Sequence, residues 1–282
     1  MSGTLKERLV ELLEEQAVFG ALPLSADLDI GLLRDPERLR QAHECRREEL
    51  ACPPQAGLAG TVAGLRREAL APPQPVAPAP SAPELTAQWA SLEEARAAAA
   101  ACARCAIAER RTNSVFGVGS AEADLVVVGE APGEQEDLQG EPFVGRAGQL
   151  LDKMLAAIGF ARGDIYICNT LKCRPTGNRN PLPDELENCR PFLDHQLHLL
   201  RPRLILALGL VSSHALLGGT ASLSALRARE HQYRGIPLRV TYHPAALLRN
   251  VHWKKPAWED LKALRVRYEE LGGRSGTLPG RV

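Results

Sequence analysis

The sequence predicts an α/β domain with three layers, in which helices cover both faces of a central, mostly parallel four-stranded sheet. Short apolar runs alternate with stretches of helical period after about residue 90. Such alternation is typical of parallel strands joined by crossover helices. The run 125–128 contains no polar residue, as expected of a strand that is buried on both faces. Strands are predicted at 124–129, 164–168, 203–208 and 236–241.

Helices are expected before and between these strands. Ser91 has the character of an N-cap, with Glu93 and Glu94 in the first turn. An alanine-rich helix is therefore expected to run from there toward Cys102. Further helices are predicted at 146–158, 183–199, 210–217, 244–248 and 256–271, and Gly or Pro residues separate most of them from the strands.

Composition divides the 282-residue chain into four parts. Residues 1–70 are expected to form a helical or disordered extension, either a docking segment for a protein partner or a dispensable piece. Residues 71–85 are rich in Pro and Ala and predict a semi-rigid linker. Residues 86–273 carry the α/β domain, and 274–282 form a loose tail.

The charge is uneven although the formal net charge is zero. Residues 1–85 have 9 basic against 13 acidic residues, and residues 86–282 have 25 against 21. The mildly basic second part is compatible with nucleic acid binding. No apolar run reaches the roughly 18 residues of a membrane span, and glutamates interrupt any signal-peptide core. We therefore expect a cytoplasmic protein without membrane association, and we also expect it to be a monomer.

Four of the seven cysteines can converge on one site. Cys102 and Cys105 form a Cys-x-x-Cys pair, and fifteen residues separate Cys173 from Cys189. In a reducing cytosol this pattern favours a zinc or iron–sulfur site, although spacing does not separate the two metals. The alternative is two unrelated core cysteines and a chance pair. Cys168, inside a predicted strand, is interpreted as a core residue.

Polar side chains follow three of the predicted strands. Glu130 lies in the Gly- and Pro-containing loop after the first strand, Asn169 ends the second, and His243 follows the last. Open α/β sheets bind ligands beyond the carboxyl ends of their strands. Each residue alone has a structural interpretation, as an acidic turn, a turn-capping amide or a structural histidine. Together they indicate a site. The basic loop 172–181 is either solvated or contacts phosphates.

These segments together resemble the family 4 uracil-DNA glycosylases, the iron–sulfur type of bacteria and archaea. The matching segments are 129–133, 140–145, Asn169 with 172–175, and 243–244 with 247–250. The four cysteines also fall where that family holds a [4Fe–4S] cluster. The resemblance covers about residues 95–271. Cys168 lies outside the family pattern, and the stretch after Asp137 lacks the basic insertion of a related branch that captures DNA covalently, which favours turnover.

The resemblance implies a DNA repair enzyme that flips uracil out of single- or double-stranded DNA and hydrolyses its N-glycosidic bond. Glu130 and His243 are the implied catalytic residues. The implied substrate-binding residues are Gly129, Ala131, Gly133, Glu136, Phe143 and Asn169. The implied DNA-binding residues are Leu247, Leu248 and Arg249, with one leucine filling the vacated stack. The implied cluster ligands are Cys102, Cys105, Cys173 and Cys189, with a structural role.

Three alternatives differ from this interpretation. A glycosylase for other deaminated bases is disfavoured by Glu130 and Asn169. A non-catalytic iron–sulfur DNA-binding module is disfavoured because Glu130, Asn169 and His243 are all present. A domain for a nucleotide cofactor ranks last, because no Gly-x-Gly-x-x-Gly or Walker-type segment follows a strand.

Overall fold

The computed structural model of the protein describes residues 88–273. The predicted extension at 1–70, the linker at 71–85 and the tail at 274–282 lie outside the described residues. Within 88–273, no helix is long and apolar enough to cross a membrane.

The described domain contains one mixed sheet with the strand order β1-β3-β2-β4-β6-β5. Its strands are β1 Val118–Gly119, β2 Leu125–Gly129, β3 Tyr166–Asn169, β4 Leu204–Leu208, β5 His231–Tyr233 and β6 Ile236–Thr241. The four inner strands pair in parallel, which confirms the predicted core of the sheet. The structure adds two edge strands, β1 and β5, that pair antiparallel.

Eight helices occur among the described residues. They are α1 Leu92–Ala100, α2 Glu134–Gln139, α3 Arg146–Ala157, α4 Pro183–Leu200, α5 Gly209–Leu217, α6 Leu223–Arg227, α7 Pro244–Arg249 and α8 Lys254–Glu270. The predicted cap of α1 is confirmed, since the Ser91 side chain accepts a hydrogen bond from the Glu94 backbone. The short helices α2 and α6 were not predicted.

Alternation along β2 shows how the sheet is covered on both faces. Leu125 and Val127 pack with α3 and α8 on one face. Val126 and Val128 pack with α4, α5 and α6 on the other. Burial of both faces explains the uninterrupted apolar run in the sequence. Cys168 packs on the same face as Val126 and Val128 and is fully buried, as predicted.

The strand order places the topological switch point at the end of β2. The chain continues from β2 to β3 on one side and later returns to β4 on the other. Gly129 is in register with Asn169 across the β2–β3 pair. Ligands bind at such a point because the loops diverge there and leave a crevice. The end of β2 is therefore where the site is expected.

Candidate active site

A cavity of about 360 Å³ opens beyond the carboxyl ends of the parallel strands. It brings together most of the predicted site residues: Glu130, Ala131, Gly133, Glu136, Phe143, Asn169, His243 and Arg249. Its volume suits a small ligand such as one nucleobase.

Gly129 ends β2 where the backbone, Phe143 and Asn169 meet. A side chain at Gly129 would collide with the Phe143 ring and with Oδ1 of Asn169. Phe143 itself has a left-handed backbone with φ 56°, which is uncommon for a residue with a side chain. Its ring lies 5.6 Å from the ring of His243, centre to centre. A bulky ring is thus held in the cavity wall despite backbone strain.

Asn169 is the unusual polar group of the cavity. Its side chain is 1% exposed, and neither Oδ1 nor Nδ2 has a hydrogen-bond partner among residues 88–273. A buried polar atom without a partner costs about 1–3 kcal/mol. The amide therefore presents an unused acceptor and an unused donor side by side, as a ligand with a complementary edge requires.

Glu130 also lines the cavity. Its backbone carbonyl accepts hydrogen bonds from the Thr170 hydroxyl at 2.5 Å and the Leu171 backbone at 3.1 Å. The loop after β2 is thereby fixed to the continuation of β3. Burial raises the pKa of the Glu130 carboxyl, because the charged form loses water.

Glu136 fastens two loops to each other. Its carboxylate accepts hydrogen bonds from the backbone of Gly133 at 3.1 Å, Val144 at 3.0 Å and Gly145 at 2.9 Å. These contacts join the loop before α2 to the loop that carries Phe143. Glu136 therefore shapes the wall as well as lining it. Its neighbour Asp137 is buried and binds the backbone of Thr112 at 3.0 Å instead.

His243 has its tautomer set by the helix it begins. It is the N-cap of α7, and its Nδ1 accepts a hydrogen bond from the Ala245 backbone at 3.2 Å. The hydrogen of the neutral ring is then on Nε2, which remains available to donate. Burial, together with the charge of Arg249, lowers the pKa of His243 to about 4, against an opposing effect of Glu136. The imidazole is therefore neutral at neutral pH.

The structure distinguishes the two leucines that follow. Leu247 is fully buried and belongs to the core beneath α7, so of the two leucines predicted to contact DNA it is the one whose side chain is not exposed. Helical geometry turns consecutive side chains about 100° apart, and Leu248 is accordingly 42% exposed. Arg249 in the last turn is exposed and reaches the cavity.

The sequence interpretation missed part of the cavity wall. Pro175, Asn178, Arg179 and Asn180 from the basic loop line it. Arg179 forms a two-pronged ion pair with Glu185, at 2.6 Å and 2.9 Å, which fixes the loop to α4. The basic character of the loop was visible in the sequence, but its position over the cavity depends on this tertiary contact.

The four predicted metal ligands come together in a third apolar cluster beside the sheet. Cys173 and Cys189 are buried there, with Cys102 and Cys105 packed against them. Arg111 donates to Sγ of Cys173 at 3.1 Å, and the Lys172 backbone donates to Sγ of Cys189 at 3.3 Å. Burial opposes ionisation of Cys102, but the hydrogen bonds and charge of Arg104 outweigh it and lower the pKa of that thiol. Among residues 88–273, no three His, Cys, Asp or Glu side chains have the spacing to hold one metal ion.

Comparison with known proteins identifies similar chains. The family described as the uracil DNA glycosylase superfamily matches residues 116–262. The type-4 uracil-DNA glycosylase of Archaeoglobus fulgidus is 40% identical over 58% of this chain and 86% of its own length. Enzymes of the same name from Pyrobaculum aerophilum and Thermotoga maritima are 45% and 44% identical, over 52% and 53% of this chain and 80% and 79% of their own lengths.

Proposed function

Because the chain belongs to the uracil DNA glycosylase superfamily, we propose that it excises uracil from DNA with the residues around this cavity. The reaction hydrolyses the N-glycosidic bond and leaves an abasic site in the repair of deaminated DNA. A uracil stacked in DNA does not reach this cavity, so the nucleotide rotates out of the strand before the reaction.

The observation that carries the proposal is the open amide of Asn169. Uracil has a carbonyl oxygen next to an N–H on its pairing edge, which is the complement of a side-chain amide. The base satisfies two buried atoms that the fold leaves without partners, and this gain is available only to a ligand with that edge. Phe143 supplies an aromatic surface for stacking.

His243 and Glu130 act on the charges that develop as the bond breaks. Electrons flow from the glycosidic bond to the uracil ring, and Nε2–H of neutral His243 donates to the uracil carbonyl oxygen that becomes negative. The sugar becomes positively charged, and the Glu130 carboxylate stabilises it or orients the attacking water. Preorganised groups of this kind are typically worth about 3 kcal/mol each.

The surface beyond the cavity supplies DNA contacts. Arg249 is exposed at the end of α7, where it binds a phosphate next to the flipped nucleotide. Leu248 is the apolar side chain that fills the space left in the stack, since Leu247 belongs to the core.

The cysteine cluster fits a [4Fe–4S] group held by Cys102, Cys105, Cys173 and Cys189. The support is the donor set, since four cysteines from three chain segments share one apolar cluster. Bound there, the group would supply structural cross-linking of α1, the loop after β3 and α4.

The remaining assignments concern the whole chain. We propose a cytoplasmic monomer in which residues 86–273 form the catalytic domain. Residues 1–70 are proposed to be dispensable for excision and available to a protein partner, with 71–85 as a linker and 274–282 as a tail. These boundaries rest on composition.

Incubation with an end-labelled single strand that contains one uracil, followed by alkali, tests the function. We expect cleavage at the uracil and none in the same strand with thymine. An intact uracil strand after treatment with iron-loaded protein would overturn the proposal. Iron and sulfide analysis after anaerobic purification tests the cluster. About four irons per chain are expected, whereas a preparation that holds only zinc would refute it.

A further inference from the structure

An exposed segment with both apolar and basic side chains begins at the end of α7. Residues 248–255, called here the rim segment, expose Leu248 by 42%, Val251 by 40% and Trp253 by 39%. The rim segment continues directly from the helix that begins at His243. Apolar side chains exposed singly are ordinary, but three of them occur here within six residues, and clustered exposed apolar surface marks contact sites.

Trp253 is held in a rigid aromatic stack. Its ring lies 5.2 Å from the ring of Tyr242, with 15° between the planes. Arg227 lies 4.2 Å from the Tyr242 ring and donates to its hydroxyl at 3.0 Å. Arg227 is in turn bound to both carboxylate oxygens of Asp260, at 2.6 Å and 3.0 Å. The indole is therefore oriented before any ligand arrives, which lowers the entropy cost of stacking.

The turn between α7 and α8 fixes Trp253 relative to the cavity. The Asn250 side chain accepts a hydrogen bond from the His252 backbone at 3.1 Å, and its carbonyl accepts from the Trp253 backbone at 3.3 Å. This short 3₁₀ turn at Val251–Trp253 follows α7 without a flexible connection. Trp253 thus keeps a constant position with respect to His243 and Leu248.

Charge in this region suits a nucleic acid strand. Positions 231 to 258 contain no Asp or Glu, and their basic residues include Arg249 and Lys255. The carboxylates that follow, Glu259 and Asp260, form ion pairs with Lys262 and Arg227. An aromatic ring among basic side chains is the combination with which proteins bind single-stranded DNA, because bases stack while the backbone charge is neutralised.

We propose that Trp253 is a stacking platform for an unpaired nucleobase adjacent to the flipped uracil in the same strand. The inference rests on the proposed function and adds a second base-binding position outside the cavity. Leu248 occupies the gap that the uracil leaves, and the indole receives a neighbouring base that has lost its stacking partner. A platform of this kind strengthens binding to single strands, in which the neighbouring base has no complementary partner.

Fluorescence polarisation with labelled single strands tests the platform without catalysis. Each strand carries a tetrahydrofuran abasic site in place of the uracil nucleotide, so the protein binds but does not react. Trp253→Ala is expected to bind about 5- to 100-fold more weakly, as for loss of one base–aromatic stack. Trp253→Phe should retain most of the affinity. Val266→Ala removes an exposed side chain about 20 Å farther along α8 and should bind normally.

A second abasic replacement, moved through the positions flanking the first, identifies the stacked base. At one of these positions, the second abasic site should weaken binding of the wild type by the same factor as the Trp253→Ala substitution does. At that position, Trp253→Ala should bind the singly and the doubly abasic strands equally well. The proposal would be overturned if the wild type bound the doubly abasic strands equally well at every position. It would also be overturned if the second abasic site weakened binding of Trp253→Ala further, so that the two losses of affinity added. The wild-type scan decides even if Trp253→Ala does not fold. Failure of uracil release in the alkali assay concerns the proposed function alone, because this binding scan is read independently.

Discussion

The side-chain amides of Asn169 and Gln196 are both buried, at 1% and 0% exposure, yet their surroundings differ. Gln196 donates to the Phe116 carbonyl at 2.9 Å and the Tyr166 hydroxyl at 3.1 Å, and accepts from Nζ of Lys172 at 2.6 Å. The Asn169 amide has no hydrogen-bond partner within the described part of the chain. One amide stabilises the domain, and the other remains available to a substrate.

Lys172 connects the two amides. Its Nζ also donates to the Asn169 carbonyl at 2.8 Å, so the satisfied network supports the backbone of the open amide. The comparison indicates that the hydrogen bonds of Gln196 and Lys172 orient the end of β3. The side-chain atoms of Asn169 that are proposed to pair with the base stay available. A cost of about 1–3 kcal/mol per unsatisfied group is compatible with a large buried core.

His243 lines the cavity together with Asn169, and His243→Ala should have a large effect on the reaction rate. We expect a drop of about 100- to 1,000-fold in the single-turnover rate, because Nε2–H acts on charge that grows in the transition state. DNA affinity should change little. His231, whose Nε2 contacts the Leu226 carbonyl at 2.8 Å, supplies the matched control His231→Ala. A larger rate loss in the control would contradict the assignment.

The adjacent residues Leu247 and Leu248 allow a core side chain and a surface side chain to be compared directly. Leu247→Ala should lower the free energy of unfolding by about 2–5 kcal/mol, since it opens a cavity in the core. Leu248→Ala should change it by less than about 0.5 kcal/mol but slow excision from duplex DNA several-fold. Urea denaturation and single-turnover assays on both variants measure this. Equal stability losses would place both side chains in the core.

Acid should destabilise the protein through His243. Its pKa is about 4 in the fold, below the ordinary value of 6.5, so the unfolded chain binds the extra proton first. The stability that goes with the neutral His243 ring is therefore fully present above pH 6.5 and is lost as the pH falls toward 4. Between pH 7.5 and 5 the wild type should lose about 1 kcal/mol more stability than His243→Ala, allowing for residual solvent at the partly buried ring. Thermal unfolding of both proteins at the two pH values measures the difference.

Local sequence patterns were sufficient for the parallel strands and for the polar residues at their ends. The uninterrupted apolar run at 125–128 predicted β2, and strand direction then placed Glu130, Asn169 and His243 at one edge. The edge strands β1 and β5 have two and three residues, too few to show a period. Their pairing depends on the neighbouring strand.

Tertiary contacts decided the rest of the site. Which leucine after His243 faces outward depends on the phase of a six-residue helix, and the sequence left both open. The position of the basic loop depends on the Arg179–Glu185 pair. The open amide of Asn169 was visible only in three dimensions, because it is defined by partners that are missing among the described residues.

Asn169→Ala and Gln196→Leu, assayed side by side, test the central claim most directly. Excision by Asn169→Ala should fall about 1,000-fold, with an unchanged or higher free energy of unfolding, because no internal hydrogen bond is lost. Gln196→Leu should lose about 1–3 kcal/mol of stability and keep its rate within about tenfold of the wild type. If Asn169→Ala were destabilised and still excised uracil at the wild-type rate, its amide would serve the fold, and the account would be wrong.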